Sequence, residues 1–163
     1  MKCIECGGPM NVHRENYRYD ACGLPVTLVG VEVDRCRKCG GHEVAIPRIE
    51  ELHRVIAGVV IARSSRLGAA EVRLLRKVLG WSGADFARHL GVDPSTVSRW
   101  EHGRQAIGPV ADRLLRMMVA RREPTCSYPL EALAKVGSER AGRTRIDVVP
   151  AGDGWRAVAA QVS

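Results

Sequence analysis

Two short elements, Cys3-Ile-Glu-Cys6-Gly7-Gly8 and Cys36-Arg-Lys-Cys39-Gly40-Gly41, constrain the fold more than any other feature of the chain. Two residues between the cysteines of a pair let both thiolates face one ion. The glycine that follows lets the backbone turn with its amides toward sulfur. Four such thiolates suit Zn²⁺, which takes them tetrahedrally with Zn–S near ~2.3 Å. The expected site is therefore one structural zinc per chain on Cys3, Cys6, Cys36 and Cys39. Four thiolates leave no coordination position for a water, so hydrolytic chemistry is not expected there. The 29 residues between the pairs exceed the roughly 15–20 usual for such sites. Val12–Tyr19 and the β-prone Val26–Val33, joined by a turn over Ala21–Pro25, account for the excess as an inserted hairpin.

Aromatic residues make up 4% of the 163, with a single Phe, so the core must be small and aliphatic or assisted by something else. An N-terminal segment of this kind should depend on metal to fold. The longest uncharged apolar run, Val55–Ala62, has eight residues, whereas a membrane helix needs about 20. Glu5 and the early cysteines stand where a signal peptide would be apolar, so a reducing, cytoplasmic setting is expected. Cys22 and Cys126 lack partners at short spacing and read as ordinary small residues. No paired carboxylates, Ser/His set or Gly-rich phosphate loop points to an enzyme.

Four segments follow from the patterning. Residues 1–46 form the zinc-binding hairpin domain, and 47–68 a connecting helix and linker, starting near Pro47 with Ile49, Leu52, Ile56 and Val59 or Val60 as its stripe. Residues 69–122 carry helical periodicity with stops at Gly80, Gly91, Gly103 and Gly108, predicting helices over 69–79, 83–90, 94–101 and 109–121. Residues 123–163 form a tail, weakly ordered to about 142. There Arg145–Val149 and Trp155–Val158 predict a hairpin around Gly152–Gly154, with Ile146, Val148, Trp155 and Val158 docked on something larger. The fold class is α+β: mainly α, with a small β-containing four-cysteine zinc domain ahead of a helical bundle.

Within that bundle, residues 82–102 satisfy the demands of a helix-turn-helix position by position. Ser82 with Asp85 makes a capping-box-like start. Phe86 and Leu90 face inward, Ala87 is small where the next helix crosses, and Gly91 suits a turn with φ > 0. Asp93-Pro94 supplies a cap and first-position proline for the second helix. Val97 and Trp100 face the core, leaving Ser95, Thr96, Ser98, Arg99 and His102 outward. An outward Arg can bind guanine O6 and N7 in the major groove, and Ser or Thr can bond bases or phosphates. Arg88, Arg104 and Lys77 are candidate phosphate contacts. Charge agrees in sign, since residues 61–123 hold twelve basic and six acidic side chains while residues 1–60 balance at eight each. A solvated basic face would carry the same count.

The order Cys-x-x-Cys-Gly, β-rich insert, Cys-x-x-Cys-Gly, connecting helix, then Ser-x-x-x-Phe-Ala-x-x-Leu-Gly-Val…Val-Ser-Arg-Trp-Glu-x-Gly resembles the MqsA (YgiT-type) antitoxins over residues 1 to about 122. The helix-turn-helix within it is of the widespread Xre/Cro type. The resemblance implies structural zinc on the four cysteines and an N-terminal domain that binds a ribonuclease toxin. It further implies a homodimer that represses its own operon, with Ser95 and Arg99 reading bases of double-stranded operator DNA. Gly83 stands where such helices usually begin with a phosphate-contacting Gln, and residues 123–163 have no counterpart in the pattern. A stand-alone zinc-containing helix-turn-helix regulator without a toxin fits the same residues.

Overall fold

The computed structural model describes residues 1–122, 136 and 144–162. The elements run β1 (Met10–Tyr19), β2 (Val26–Cys36), β3 (His42–Val44), α1 (Ile49–Ala62), α2 (Ala69–Val78), α3 (Gly83–Leu90), α4 (Pro94–Glu101), α5 (Pro109–Arg122), β4 (Thr144–Ala151) and β5 (Gly154–Val162). The architecture is α+β, with strands at the N-terminus followed by five helices. The weakly ordered stretch expected over 123–142 and Cys126 lie outside the described residues, apart from Val136.

β1 and β2 form an antiparallel pair with an irregularity where Glu15 faces Val31 but Tyr17 faces Leu28. Val29 and Gly30 together oppose Asn16, so β2 carries one extra residue. Gly30 takes φ 67° there, and its amide donates to Asn16 Oδ1 at 3.1 Å. A bulge of this kind flips the side-chain alternation. It explains why Val26 and Leu28 are buried and then, three residues on rather than two, Val31 and Val33.

The far edge of β2 is shared. β3 pairs with its C-terminal part, and β4 pairs in parallel with Val26–Leu28. β5 then returns antiparallel to β4, so the C-terminal hairpin belongs to the same sheet as the strands between the cysteine pairs. Ile146 and Val148 are fully buried. Trp155 is buried too, and its indole N–H donates to the Pro47 carbonyl at 3.0 Å. Val158, expected to dock, is instead 60% exposed. It is the extra residue of β5, between Ala157 opposite Val148 and Ala159 opposite Asp147, and it points away from the face of Trp155 and Ala157.

The hairpin turn is clamped at the start of α1. Arg48 precedes the helix at φ 50°, the one non-glycine with positive φ among the described residues. Its guanidinium donates to the Asp153 carbonyl and pairs with Glu51 at 2.9 Å. A Cβ on Gly154 would meet the Glu51 carboxylate, which would have to swing away from Arg48 to admit it. Helix α1 begins at Ile49 rather than at Pro47, because Trp155 uses the Pro47 carbonyl and Arg48 turns left-handed.

One apolar core runs through both halves. Leu28, Val33 and Ile146 from the sheet, Leu52 and Ile56 from α1, and Leu75, Phe86 and Leu115 from the bundle belong to a single buried cluster. Between α1 and α2 the chain is held by α5. Arg116 and Asp112, both with 0% side-chain exposure, pair at 2.6 Å. Arg116 also donates to the carbonyls of Ile61 (3.0 Å), Arg63 and Ser65 (2.7 Å), while Asp112 accepts from the Leu67 amide at 2.8 Å. Removing one partner of a buried pair leaves an uncompensated charge and costs about 3–5 kcal/mol. Asp112→Asn should lower unfolding stability by that order in a urea titration, whereas Arg145→Gln, at an exposed pair with Asp147, should change it by less than about 1 kcal/mol.

Candidate metal centre and nucleic-acid interface

The four cysteines predicted from spacing converge. Their sulfurs all lie within 4.8 Å of one another, with Cys3 to Cys39 at 3.6 Å and Cys6 to Cys36 at 3.4 Å. A tetrahedron of Zn–S bonds near ~2.3 Å places its sulfurs ~3.8 Å apart, so the cluster matches such an ion in size and donor chemistry. Four cysteines this close can bind a metal ion such as zinc, which would act as a cross-link between the two loops.

The two knuckles are built alike. The Cys3 amide donates to the Gly8 carbonyl and the Gly7 amide to Cys3, both at 2.9 Å. In parallel, the Cys36 amide donates to Gly41 at 2.8 Å and the Gly40 amide to Cys36 at 3.1 Å. Gly7 and Gly40 sit at φ 67° and 74°, a conformation that favours glycine. The second glycine of each pair has a different task. A Cβ on Gly8 would come 3.2 Å from the sulfurs of Cys36 and Cys6, and one on Gly41 3.3 Å from Cys39. Both glycines keep the sulfur shell open. The backbone amides of Cys39 and Lys38 hold the Cys36 thiol down to about 6, while against the Gly41 amide the neighbouring thiols Cys6, Cys3 and Cys36 push Cys39 up to about 12.

This end of the molecule has its own small apolar cluster of Cys3, Met10 and Cys36, separate from the main core. The expectation that the N-terminal strands depend wholly on metal is therefore too strong, because Val26, Leu28 and Val33 pack with α1 and β4. Purified protein should contain one zinc per chain by elemental analysis, and Cys39→Ser should abolish it. Amide exchange should then speed up in residues 1–9 and 36–42 but stay slow in β2 near Val26 and Leu28.

In the helical part, α3 opens with a capping box. Ser82 Oγ accepts from the Asp85 amide and Asp85 Oδ2 accepts from the Ser82 amide, both at 3.1 Å. α3 ends at Gly91 with φ 64°. Asp93 caps α4, accepting from the Ser95 amide at 2.8 Å, with Pro94 in the first turn. Phe86, Ala87, Val97 and Trp100 are buried. Phe86 packs edge-on against Trp100 at 6.4 Å between ring centres and lies 6.3 Å from Trp81, which stacks on His89 at 4.1 Å. Three of the seven aromatic residues, Trp81, Phe86 and Trp100, thus meet around α3 and α4.

The outward set stands as follows. Ser95, Ser98, Arg99 and His102 are exposed along α4 and Thr96 is half-buried. Arg99 folds back toward the start of its helix. It donates to the Ser95 carbonyl at 3.2 Å, to Ser95 Oγ at 3.3 Å and to Thr96 Oγ1 at 3.1 Å. His102 Nδ1 donates to the Ser98 carbonyl at 2.7 Å. Arg104 is exposed just beyond α4, and Arg88 is exposed on α3 but paired with Asp85 at 2.9 Å. Lys77 lines a cavity against α1 and the turn after β1.

Two arginines that position α4 escape a pattern search. Glu101, at the end of α4, is buried and receives both Nε (2.6 Å) and Nη2 (3.2 Å) of Arg76 from α2. Arg73, one turn earlier, donates to the Glu101 carbonyl at 2.5 Å. Arg76 also donates to the Trp81 carbonyl at 2.7 Å, ahead of α3. The signal they leave in the sequence is a pair of arginines three apart on an otherwise amphipathic helix.

A family model for a helix-turn-helix domain matches residues 69–124. No curated protein matches the chain. Fold and site together define a class: a protein with a DNA-binding helix-turn-helix and, ahead of it, a four-cysteine cluster suited to a metal. Among the described residues no helix is long and apolar enough to cross a membrane.

The capping box carries a pH dependence. The Ser82 hydroxyl and then its amide hold the Asp85 carboxyl below its usual range, with Arg88 adding to the effect. A carboxyl lowered in the folded state contributes stability above its unfolded value of about 3.9 and loses it as pH falls through the lower folded value. Asp85→Asn should therefore flatten the loss of helical stability on acidification from about pH 5 to 2, followed by circular dichroism in urea.

Proposed function

We propose that the protein is a zinc-containing transcriptional repressor that binds operator DNA as a homodimer. The observation that carries this reading is the α4 surface. A capped helix anchored by Arg76 and Glu101 presents Ser95, Thr96, Ser98 and Arg99 outward. Arg99 is the base-reading residue, its guanidinium held over the N-terminal part of the helix, the end that enters the major groove. Arg104 and Arg88 hold phosphates, the latter by giving up Asp85. Cys3, Cys6, Cys36 and Cys39 hold the zinc. Residues 1–46, 47–68, 69–122 and 123–163 serve as cysteine domain, connector, reading domain and tail.

Dimerisation is supported by α5. Val110 is 78% exposed and Met117 38%. Leu114 and Met118 are half-buried on the same side, a stripe at spacings of four, three and one. Pairing of this stripe with its copy would present two α4 helices to half-sites about one DNA turn apart, or a multiple.

The antitoxin reading refines the same proposal. Its support is the module order shared with the MqsA-type pattern, together with the outer edge of β1, which pairs only with β2 among the described residues and leaves backbone groups for a protein partner. A stand-alone regulator is the alternative. A neighbouring reading frame whose product is toxic alone and co-purifies with this chain decides for the antitoxin.

Binding to a duplex selected from a random pool, measured across a salt series, tests the DNA reading. Arg99→Ala should cost about 1–3 kcal/mol on the selected site and relax discrimination at one base pair. Arg104→Ala should weaken selected and scrambled duplexes alike and reduce the log–log salt slope by about one. An equal loss on both duplexes for Arg99→Ala would assign that residue to phosphate. A protein that stays monomeric with and without DNA by light scattering would refute the dimer.

A further inference from the structure

A cavity of about 310 Å³ opens between the approach to α2, the end of α4 and the loop from α4 to α5. Leu67, Val72 and Ile107 give it buried apolar walls. Two of its lining residues carry N–H groups that are buried and meet no acceptor among the described residues, the indole Nε1 of Trp100 and Nε of Arg66. Trp100 is only 6% exposed, so bulk water does not answer its N–H. Arg66 also forms no salt bridge among the described residues. The carboxylates bonded to this stretch of chain are committed elsewhere. Glu71 takes the Gly68 amide at 2.8 Å and pairs with Arg63. Asp112 takes the Leu67 amide at 2.8 Å and pairs with Arg116.

A buried donor without an acceptor is costly, and folded proteins keep few of them. Trp155 shows the ordinary outcome, its indole N–H donating to the Pro47 carbonyl at 3.0 Å. Two unanswered donors lining one cavity therefore define what fills it. The ligand must bring acceptor atoms, and a guanidinium favours acceptors that carry negative charge. The walls of Leu67, Val72 and Ile107 favour a compact apolar body behind that head. The volume falls at the lower end of the range for small-molecule sites. A phosphate of a DNA duplex fits less well, since it reaches exposed cations such as Arg104 rather than a buried indole N–H. We infer that this cavity binds a small organic oxyanion. Its carboxylate or phosphate oxygens accept from Arg66 and from the Trp100 indole, and its apolar body lies against Leu67, Val72 and Ile107. Bound there, it joins the end of α4 to the residues that lead into α2.

Benzoate and phenyl phosphate are suitable probes, with benzyl alcohol as the neutral ring and acetate as the head group alone. They are titrated into the purified, ¹⁵N-labelled full chain, with the three indole N–H resonances assigned through bonds. At least one of the two ring-bearing acids should move the Trp100 indole resonance saturably, with one site, along with the amides of residues 66–72 and 103–107. The Trp155 indole resonance should stay in place. Benzyl alcohol and acetate should each bind at least tenfold more weakly, and the tighter of the two acids identifies the head group. Arg66→Gln removes the charge without breaking a bond among the described residues. It should lower affinity at least tenfold with the spectrum otherwise preserved, while Arg145→Gln on β4 should change it less than twofold. The inference is overturned if neither acid gives a saturable shift or if the Trp100 indole stays still while other resonances move. It is equally overturned if benzyl alcohol or acetate binds as well, or if Arg66→Gln binds like the parent. A Trp100 shift produced by a DNA duplex and by neither acid would assign the donors to backbone phosphate and refute the small-molecule site. The acid titrations need no DNA, so a failure of the repressor reading would appear separately, as absent duplex binding with the indole shift intact.

Discussion

The guanidinium of Arg116 is the junction on which the arrangement depends. In one buried position it neutralises Asp112 and collects three carbonyls from residues 61–65, the stretch that leaves α1. Its partner carboxylate takes the Leu67 amide. A linker crossing the interior would otherwise bury unpaired backbone groups, each at a cost comparable to a lost hydrogen bond. With Arg116 in place the linker is hydrogen-bonded to α5, so the sheet-bearing half and the helix-turn-helix half share one core. Arg63, paired with Glu71, and Glu71 in turn, accepting from the Gly68 amide at 2.8 Å, carry the same restraint into the first turn of α2.

From α2 the restraint passes to α4. Arg76 and Arg73 hold Glu101 by its carboxylate and its carbonyl, and the Trp81 carbonyl is tied to the same Arg76. The orientation of α4 is therefore referred to α2 by charge-assisted bonds in addition to the packing of Phe86 against Trp100. Such bonds have defined geometry where aliphatic packing is more permissive. On the proposed reading that matters for Arg99, since bonds from its guanidinium to a base edge would tolerate little displacement.

Legibility in the sequence follows the range of the interactions. The bounds of α3 and α4 are readable because a capping box, a left-handed glycine and a proline in the first turn each act within four residues. The cysteine cluster is readable because Cys-x-x-Cys-Gly-Gly specifies a knuckle locally, with the two knuckles meeting through shared chemistry. The parallel pairing of Val26–Leu28 with Ile146–Val148 is not readable, since it joins segments over a hundred residues apart and leaves only apolar alternation in each. Arg116 and Asp112 are not readable either. Composition places such residues at the surface, and only the backbone carbonyls of a distant linker make their burial favourable. Val158 departs from expectation because it stands three residues from Trp155, so alternation puts the two on opposite faces of β5.

The separation of the cysteine cluster from the main core also follows from distance. The sulfur cluster sits at the end of the sheet where Met10 pairs with Cys36, and its buried apolar residues are Cys3, Met10 and Cys36, with Cys6 half-buried and Cys39 exposed. The hairpin β4–β5, clamped by Trp155 and Arg48 at the start of α1, covers the opposite end of β2 near Val26. Each end of the sheet thus has its own cluster, one of four cysteine sulfurs suited to a metal and one apolar. Between them, the outer edge of β1 carries none among the described residues. On the proposed reading, a partner added along β1 would meet strands already fixed at both ends. It would lose little ordering entropy on this side of the interface, and through β2, α1 and Arg116 it would lean on the same framework that sets the direction of α4.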